Sequence, residues 1–160
     1  MKERQERYAM TNERANTKEH GMTVKAAVQK KTSSAGPQIA AVLVRGLINA
    51  RDDVKETFNL LKLGKKNYCV VLNSNPSTLG MLSKVKDYIT WGEITPETYA
   101  LLTQKKQEID TFTNKPKKFF KLQPPTKGYG RKGIKRPFNM GGGLGYRGKA
   151  MDDLLRRMLR

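Results

Sequence analysis

The chain has 160 residues, enough for one modest domain plus tails, and its 32 Lys and Arg against 14 Asp and Glu give a formal charge of +18. A charge that large repels itself on folding and suits a polyanionic partner: nucleic acid first, a membrane surface or acidic protein behind it. The longest aliphatic run, residues 39–44, is far short of the roughly 20 residues of a membrane span. The N-terminus MKERQERYAM has charge where a leader has its apolar core, and the single cysteine, Cys69, excludes an internal disulfide framework. Together these point to a soluble intracellular protein.

Residues 1–37 are polar and of mixed charge, with little apolar periodicity, and KKTSSAGPQ (30–38) has the composition of a linker. The reading is an N-terminal extension over 1–37, a globular core over 38–125 and a basic segment over 126–160. In the core, IAAVLVRG is a strand aliphatic on both faces and stopped by Gly46. RDDVKETFNLLKLG is a helix with Val54, Phe58 and Leu61 at helical spacing, Asp52 and Asp53 at its start and Gly64 as its C-terminal cap. NYCVVLNSN is a second strand. TLGMLSKVKDYI is a second helix, with Leu82, Val85 and Ile89 on its apolar face. TPETYALLTQKKQEI starts a third at Thr95 and Pro96. KKFFKLQPP is a last strand.

The order β-α-β-α-(α)-β predicts an α+β domain, with helices on one face of a small sheet. Val42, Val44, Phe120 and Leu122 would then face the helices, and Leu43, Arg45, Phe119 and Lys121 would face away.

Composition changes after Pro125. Residues 111–151 hold eleven Lys or Arg and no acidic residue. Gly128, Gly130, Gly133, Gly141, Gly142, Gly143, Gly145 and Gly148 lie in the same stretch. So little apolar surface does not offset the entropy of ordering, so this segment is expected to be ordered by a partner. It ends in an amphipathic helix with Met151, Leu154, Leu155 and Met158 on one face.

GGGLGYRGKA (141–150) spells both G-x-G-x-x-G and G-x-x-x-x-G-K. A nucleotide loop of the second kind needs Ser or Thr after the lysine, and Ala150 stands there. It also needs a buried strand before it and a helix of several turns after it, whereas KRPFNM reads as a poor strand and only about a dozen residues follow Gly148. The better reading is an RNA-binding segment. Its glycines let backbone N–H groups approach phosphates, Arg131, Lys132, Lys135, Arg136, Arg147 and Lys149 supply charge, and Tyr129, Phe138 and Tyr146 offer rings for base stacking.

Catalytic and metal signals are weak. His20 is the single histidine and, with one cysteine, cannot complete a zinc set. Asp52/Asp53 and Asp152/Asp153 each open a helix, where dipole stabilisation accounts for them. Trp91 is either core closure or an exposed stacking platform. Lys62, Lys65 and Lys66 suit the end of a helix dipole as well as they suit RNA. No catalytic residue, metal or cofactor is assigned.

Three stretches resemble one known family: VRGLINARDDVKETFNLLKL (44–63), SKVKDYITWGEIT (83–95) and FFKLQPP…IKRPFNMGGGLGYRGKAMDDLLRRML (119–159). It is the large-subunit ribosomal protein family called L-thirty in archaea and bacteria and L-seven in eukaryotes, and the fit is closest to the long archaeal form. The resemblance implies a three-stranded antiparallel β-α-β-α-β domain, ferredoxin-like in flavour. It also implies binding to large-subunit rRNA near the 5S rRNA, among neighbouring ribosomal proteins, with no membrane, small-molecule substrate or catalysis. It places Arg45, Gly46, Lys84, Lys86, Trp91, Gly92 and the glycine-rich segment against RNA. The candidate contact set is completed by Lys62, Lys65, Lys66, Lys121, Lys127, Asn139, Gly142 and Gly145. The chain departs from the archaeal pattern twice: TQKKQEIDTFTNKP stands where a longer segment is usual, and residues 1–37 have no counterpart. From composition alone, a free RNA chaperone or translational regulator using the same basic surface is the rival reading.

Overall fold

A computed structural model describes residues 37–159; the expectations for the N-terminal extension lie outside the described residues. β1 (Gln38–Leu43) is followed by α1 (Asp52–Leu60), β2 (Tyr68–Asn73), α2 (Pro76–Lys84), β3 (Ile89–Glu93) and α3 (Pro96–Lys106). Then come the two-residue β4 (Phe120–Lys121), a single 3-10 turn at Phe138–Met140, the two-residue β5 (Gly145–Tyr146) and α4 (Ala150–Met158).

Every side chain of β1 from Ile39 to Leu43 is buried. A strand apolar on both faces has to be covered on both, and β1 is the central strand of a five-stranded sheet, order β4-β2-β1-β3-β5. β1 runs antiparallel to β2 and β3, β2 antiparallel to β4, and β3 parallel to β5. Ile39, Ala41 and Leu43 pack with Phe58 of α1 and Leu82 of α2. Ala40 and Val42 pack with Leu102 of α3 and with Met151, Leu154, Leu155 and Met158 of α4.

The α+β class therefore holds, while two details change. The sheet has five strands, and helices cover both of its faces. Leu43, expected to face away from helices, lies under α1 and α2. Phe119 likewise is not outward: its ring stacks on Tyr68 at 4.9 Å.

Local chemistry explains where the elements stop. α1 ends with Lys62 in the left-handed region, φ 59°. The Leu63 N–H donates to the Phe58 carbonyl at 3.0 Å and the Lys62 N–H to the Asn59 carbonyl at 3.2 Å. This is a Schellman closure, with a lysine where glycine is usual and Leu63 packed back on the core. Gly64, expected to cap, lies beyond it. α3 starts as expected: the Thr95 side chain accepts from the Thr98 N–H at 3.4 Å, and Pro96 is the first helical residue.

Ile89 does not belong to α2. That helix stops at Lys84, the chain turns with the Tyr88 N–H on the Val85 carbonyl at 3.0 Å, and Ile89 opens β3. Leu82, Val85 and Ile89 are all buried in one cluster, so their helical spacing continues across a turn. β5 gave no signal in the sequence, because two residues show no alternation.

The glycine-rich segment is not left to a partner for its order. α4 is amphipathic as expected, and its four apolar side chains are fully buried. The described residues, 37–159, fall in one compact unit. The burial that the segment lacks by itself is supplied by the sheet face formed by Ala40, Val42 and Cys69.

Candidate nucleic-acid interface

Strand directions decide where charge collects. β1 ends at Leu43, and its antiparallel neighbours β2 and β3 begin there, so the α1–β2 and α2–β3 connections lie at that same end. β5 runs parallel to β3, so the loop before Gly145 arrives there too. The result is a cleft of about 540 Å³ lined by Arg45, Lys86, Asp87, Tyr88, Lys135, Pro137, Leu144 and Gly145. Three cations face one carboxylate. The Arg45 guanidinium donates to the Asp87 carbonyl at 3.2 Å and lies 5.4 Å over the Tyr88 ring. The head group is thus oriented by one bond and makes no other side-chain hydrogen bond among the described residues. Next to it, a Cβ on Gly46 would lie 3.0 Å from Cε of Lys66, so the glycine leaves room for that lysine stem. Lys62, Lys65, Lys66 and Lys84 are exposed around this end.

A second cleft, of about 630 Å³, is lined by Lys127, Tyr129, Arg131, Phe138, Gly142, Arg147 and Arg157 among others. Arg147 dominates its wall, in a role other than the one expected. It is only 7% exposed. Its Nε donates to Thr90 Oγ1 at 2.9 Å, and its Nη2 donates to the Tyr129 carbonyl and, at 3.5 Å, to the Gly143 carbonyl. Its guanidinium sits 4.6 Å over the Phe138 ring. Burial, with Arg157 nearby, pulls its pKa below the usual arginine range. Arg147 is therefore a pin between β3 and the glycine-rich loop.

Other candidates also have partners within the fold. The Tyr129 hydroxyl donates to Asn67 Oδ1, and burial pushes its pKa up to about 12, so this ring is a packing element. Phe138 lies under Arg147. A Cβ on Gly92 would fall 2.5 Å from the Gly148 carbonyl, and one on Gly142 would strike the Arg136 backbone. Both glycines serve close backbone crossings. Lys121 Nζ is held 2.9 Å from Glu108. Trp91 is half-buried against the α1–α2 face, its ring 4.8 Å from that of Tyr146, which is 49% exposed. Trp91 thus packs at the edge of the core, and Tyr146 is the more exposed ring of the pair.

The loop's amides are largely spent. Gly141, Gly142 and Gly143 donate to the carbonyls of Phe138, Pro137 and Arg136 at 2.8, 3.0 and 3.0 Å, and Arg147 to that of Trp91 at 2.9 Å. They are not free to cradle phosphate, as either a nucleotide loop or the expected glycine–phosphate contact requires. Exposed and open to a partner are Lys127, Arg131, Lys132, Lys135, Arg136, Asn139, Tyr146 and Lys149, with Gly145 half-buried beside Tyr146. Asp87 and Tyr88 went unnoticed in the sequence; the KDY triplet before a strand was the available signal. Among the described residues no group of three or more His, Cys, Asp and Glu could hold a metal, and no helix is long and apolar enough to cross a membrane.

The sequence profile of the family described as ribosomal protein L30p/L7e matches residues 39–89. A relative from Methanopyrus kandleri, named large ribosomal subunit protein uL30, is 40% identical over 149 residues, covering 72% of this chain and 100% of its own. The uL30 proteins of Nanoarchaeum equitans and Staphylothermus marinus are 38% and 36% identical, covering 72% and 77% of this chain and 95% and 99% of theirs.

Proposed function

The chain belongs to the ribosomal protein L30p/L7e family, and from that premise we propose that it holds large-subunit rRNA, close to the 5S rRNA, with the basic end of its sheet. As a member of that family it is a structural, non-enzymatic constituent of the large ribosomal subunit, which works in the cytoplasm. The observation that carries the rRNA reading is the topological gathering of Arg45, Lys86 and Lys135 around one cleft, with Asp87 as the single carboxylate among its described lining residues. Cations held that close repel each other unless an anion enters, and a phosphate backbone supplies anions at a spacing that several of them can use at once. Arg45 is already oriented by the Asp87 carbonyl and the Tyr88 ring. It can meet a phosphate with two parallel N–H donors, which a lysine cannot. Lys66, Arg131, Lys132, Arg136 and Lys149 extend the charged surface, and Tyr146 offers a ring to a base. The buried pin at Arg147 holds the loop in place, so less order has to be created on binding.

Cys69 is fully buried, with its pKa pushed up to about 12 by burial. It should therefore stay unlabelled while Lys86→Cys accepts an iron-chelate cleavage probe. Subunits rebuilt with that protein should be cut in the large-subunit rRNA and in the 5S rRNA. Cuts in the large-subunit rRNA alone would remove the 5S part of the proposal. No cuts in either would remove the interface.

A further inference from the structure

Between α3 and β4 the chain makes an ordered excursion that the basic cleft does not use. Ile109 and Pro116 form an antiparallel bridge. The Asp110 N–H donates to the Lys115 carbonyl at 3.0 Å, the Asn114 N–H to the Asp110 carbonyl at 2.9 Å and the Lys117 N–H to the Glu108 carbonyl at 2.9 Å. Asn114 makes the turn at φ 48°, and the Thr113 hydroxyl donates to Asp110 Oδ2 at 3.3 Å. At the base, Glu108 holds Lys117 at 3.1 Å and Lys121 at 2.9 Å. Hydrogen bonds from Lys121 and Lys117 lower its pKa and keep this clamp ionised.

This much bonding presents Phe112 to solvent at 97% exposure, with Ile109 65% exposed nearby. An apolar ring on a fixed projection gains nothing in the free chain. A ring held out in this way is available to a partner. Charge selects the partner. Glu108 is occupied by its two lysines and Asp110 by Thr113, whereas Lys115 and Lys118 are exposed and make no ion pair among the described residues. The surroundings of the ring are net basic, which favours a nucleobase between phosphates over a protein pocket.

We propose that the 107–118 hairpin is a second RNA contact, in which Phe112 stacks on an unpaired base while Lys115 and Lys118 meet the adjoining phosphates. It lies on the β4 edge of the sheet, opposite the β5 edge that carries Tyr146. One rRNA segment would thus be gripped at each edge. The inference rests on the rRNA-binding reading for the identity of its partner.

The test is binding of the full chain to deproteinised large-subunit rRNA, over a series of salt concentrations. Phe112→Ala should weaken binding about tenfold, within the range of a lost aromatic–base stack, and leave the salt slope unchanged. Phe112→Trp should restore it. At 97% exposure the ring supports no core, so the alanine variant keeps its fold, which the melting temperature checks. Unchanged affinity in Phe112→Ala would overturn the stacking contact. If Arg45→Glu with Lys86→Glu still weakens binding, the basic-end reading survives that failure. Loss of Phe112→Ala from whole subunits alone, with naked rRNA bound normally, would assign the hairpin to a protein pocket and equally overturn the proposal. No rRNA binding by the unaltered chain would bring down both readings.

Discussion

Arg147 and Arg45 are the same residue type and both were candidates for phosphate binding, yet their surroundings give them opposite roles. Arg147 satisfies Thr90, Tyr129 and Gly143 from a buried position. Arg147→Ala leaves those acceptors unpaired and empties space beside Phe138, so it should cost about 2–4 kcal/mol in urea denaturation. Arg45→Ala removes one exposed bond to a carbonyl. It should shift stability by less than about 1 kcal/mol while weakening rRNA affinity. Equal stability losses in the two variants would refute the assignment. Nothing local separates these arginines in sequence. A glycine follows each of them, at Arg45–Gly46 and at Arg147–Gly148. What decides is that Arg147 comes one residue after a strand paired with β3, a pairing that two residues do not announce.

At the scale of elements, legibility followed the length of the apolar pattern. β1, α1, β2 and α3 could be read because five or more residues carried the period or a cap. β3 was hidden because Ile89 continued the helical spacing of Leu82 and Val85 through a turn. One signal for the true architecture was present from the start. A strand aliphatic on both faces demands cover on both, which a one-sided helix layer does not provide. α4 is that missing cover. Leu154→Ala, at a side chain with no exposed surface, should therefore cost about 2–5 kcal/mol, as a core deletion does. A helix merely lying on the surface would lose under about 1 kcal/mol, and that result would return residues 126–160 to the status of an appended segment.

For the molecule as a whole, charge and titration both follow from the fold. The end of the sheet opposite the cleft carries Glu93, Glu97 and Asp152, with Asp152 Oδ1 accepting from the Thr95 N–H at 3.1 Å. Among the described residues, the basic cleft and these carboxylates thus lie at opposite ends of the strands. In alkali, Cys69 and Tyr129 both keep their protons up to about 12 when folded, and the unfolded chain releases them near 9 and 10. Their contribution is complete below those lower values and is lost as pH rises toward 12, because the unfolded state then binds fewer protons. Urea midpoints should fall steadily across that window, and less steeply in Tyr129→Phe. A flat profile would contradict the burial of these groups.

If the basic end of the sheet anchors this chain in the large subunit, reversing its charge should release the protein. A sucrose gradient of cell lysate, at low and high monovalent salt, probed for the unaltered chain and for Arg45→Glu with Lys86→Glu, decides this. The unaltered protein should sediment with the large subunit and survive the salt wash, since shape and stacking do not screen as phosphate contacts do. The charge-reversed protein should shift toward the top of the gradient, first at high salt. An unaltered protein that stays at the top, or is stripped by moderate salt, would contradict the account and favour a free RNA-binding regulator. A charge-reversed protein that sediments as the unaltered one does would place the anchoring surface elsewhere.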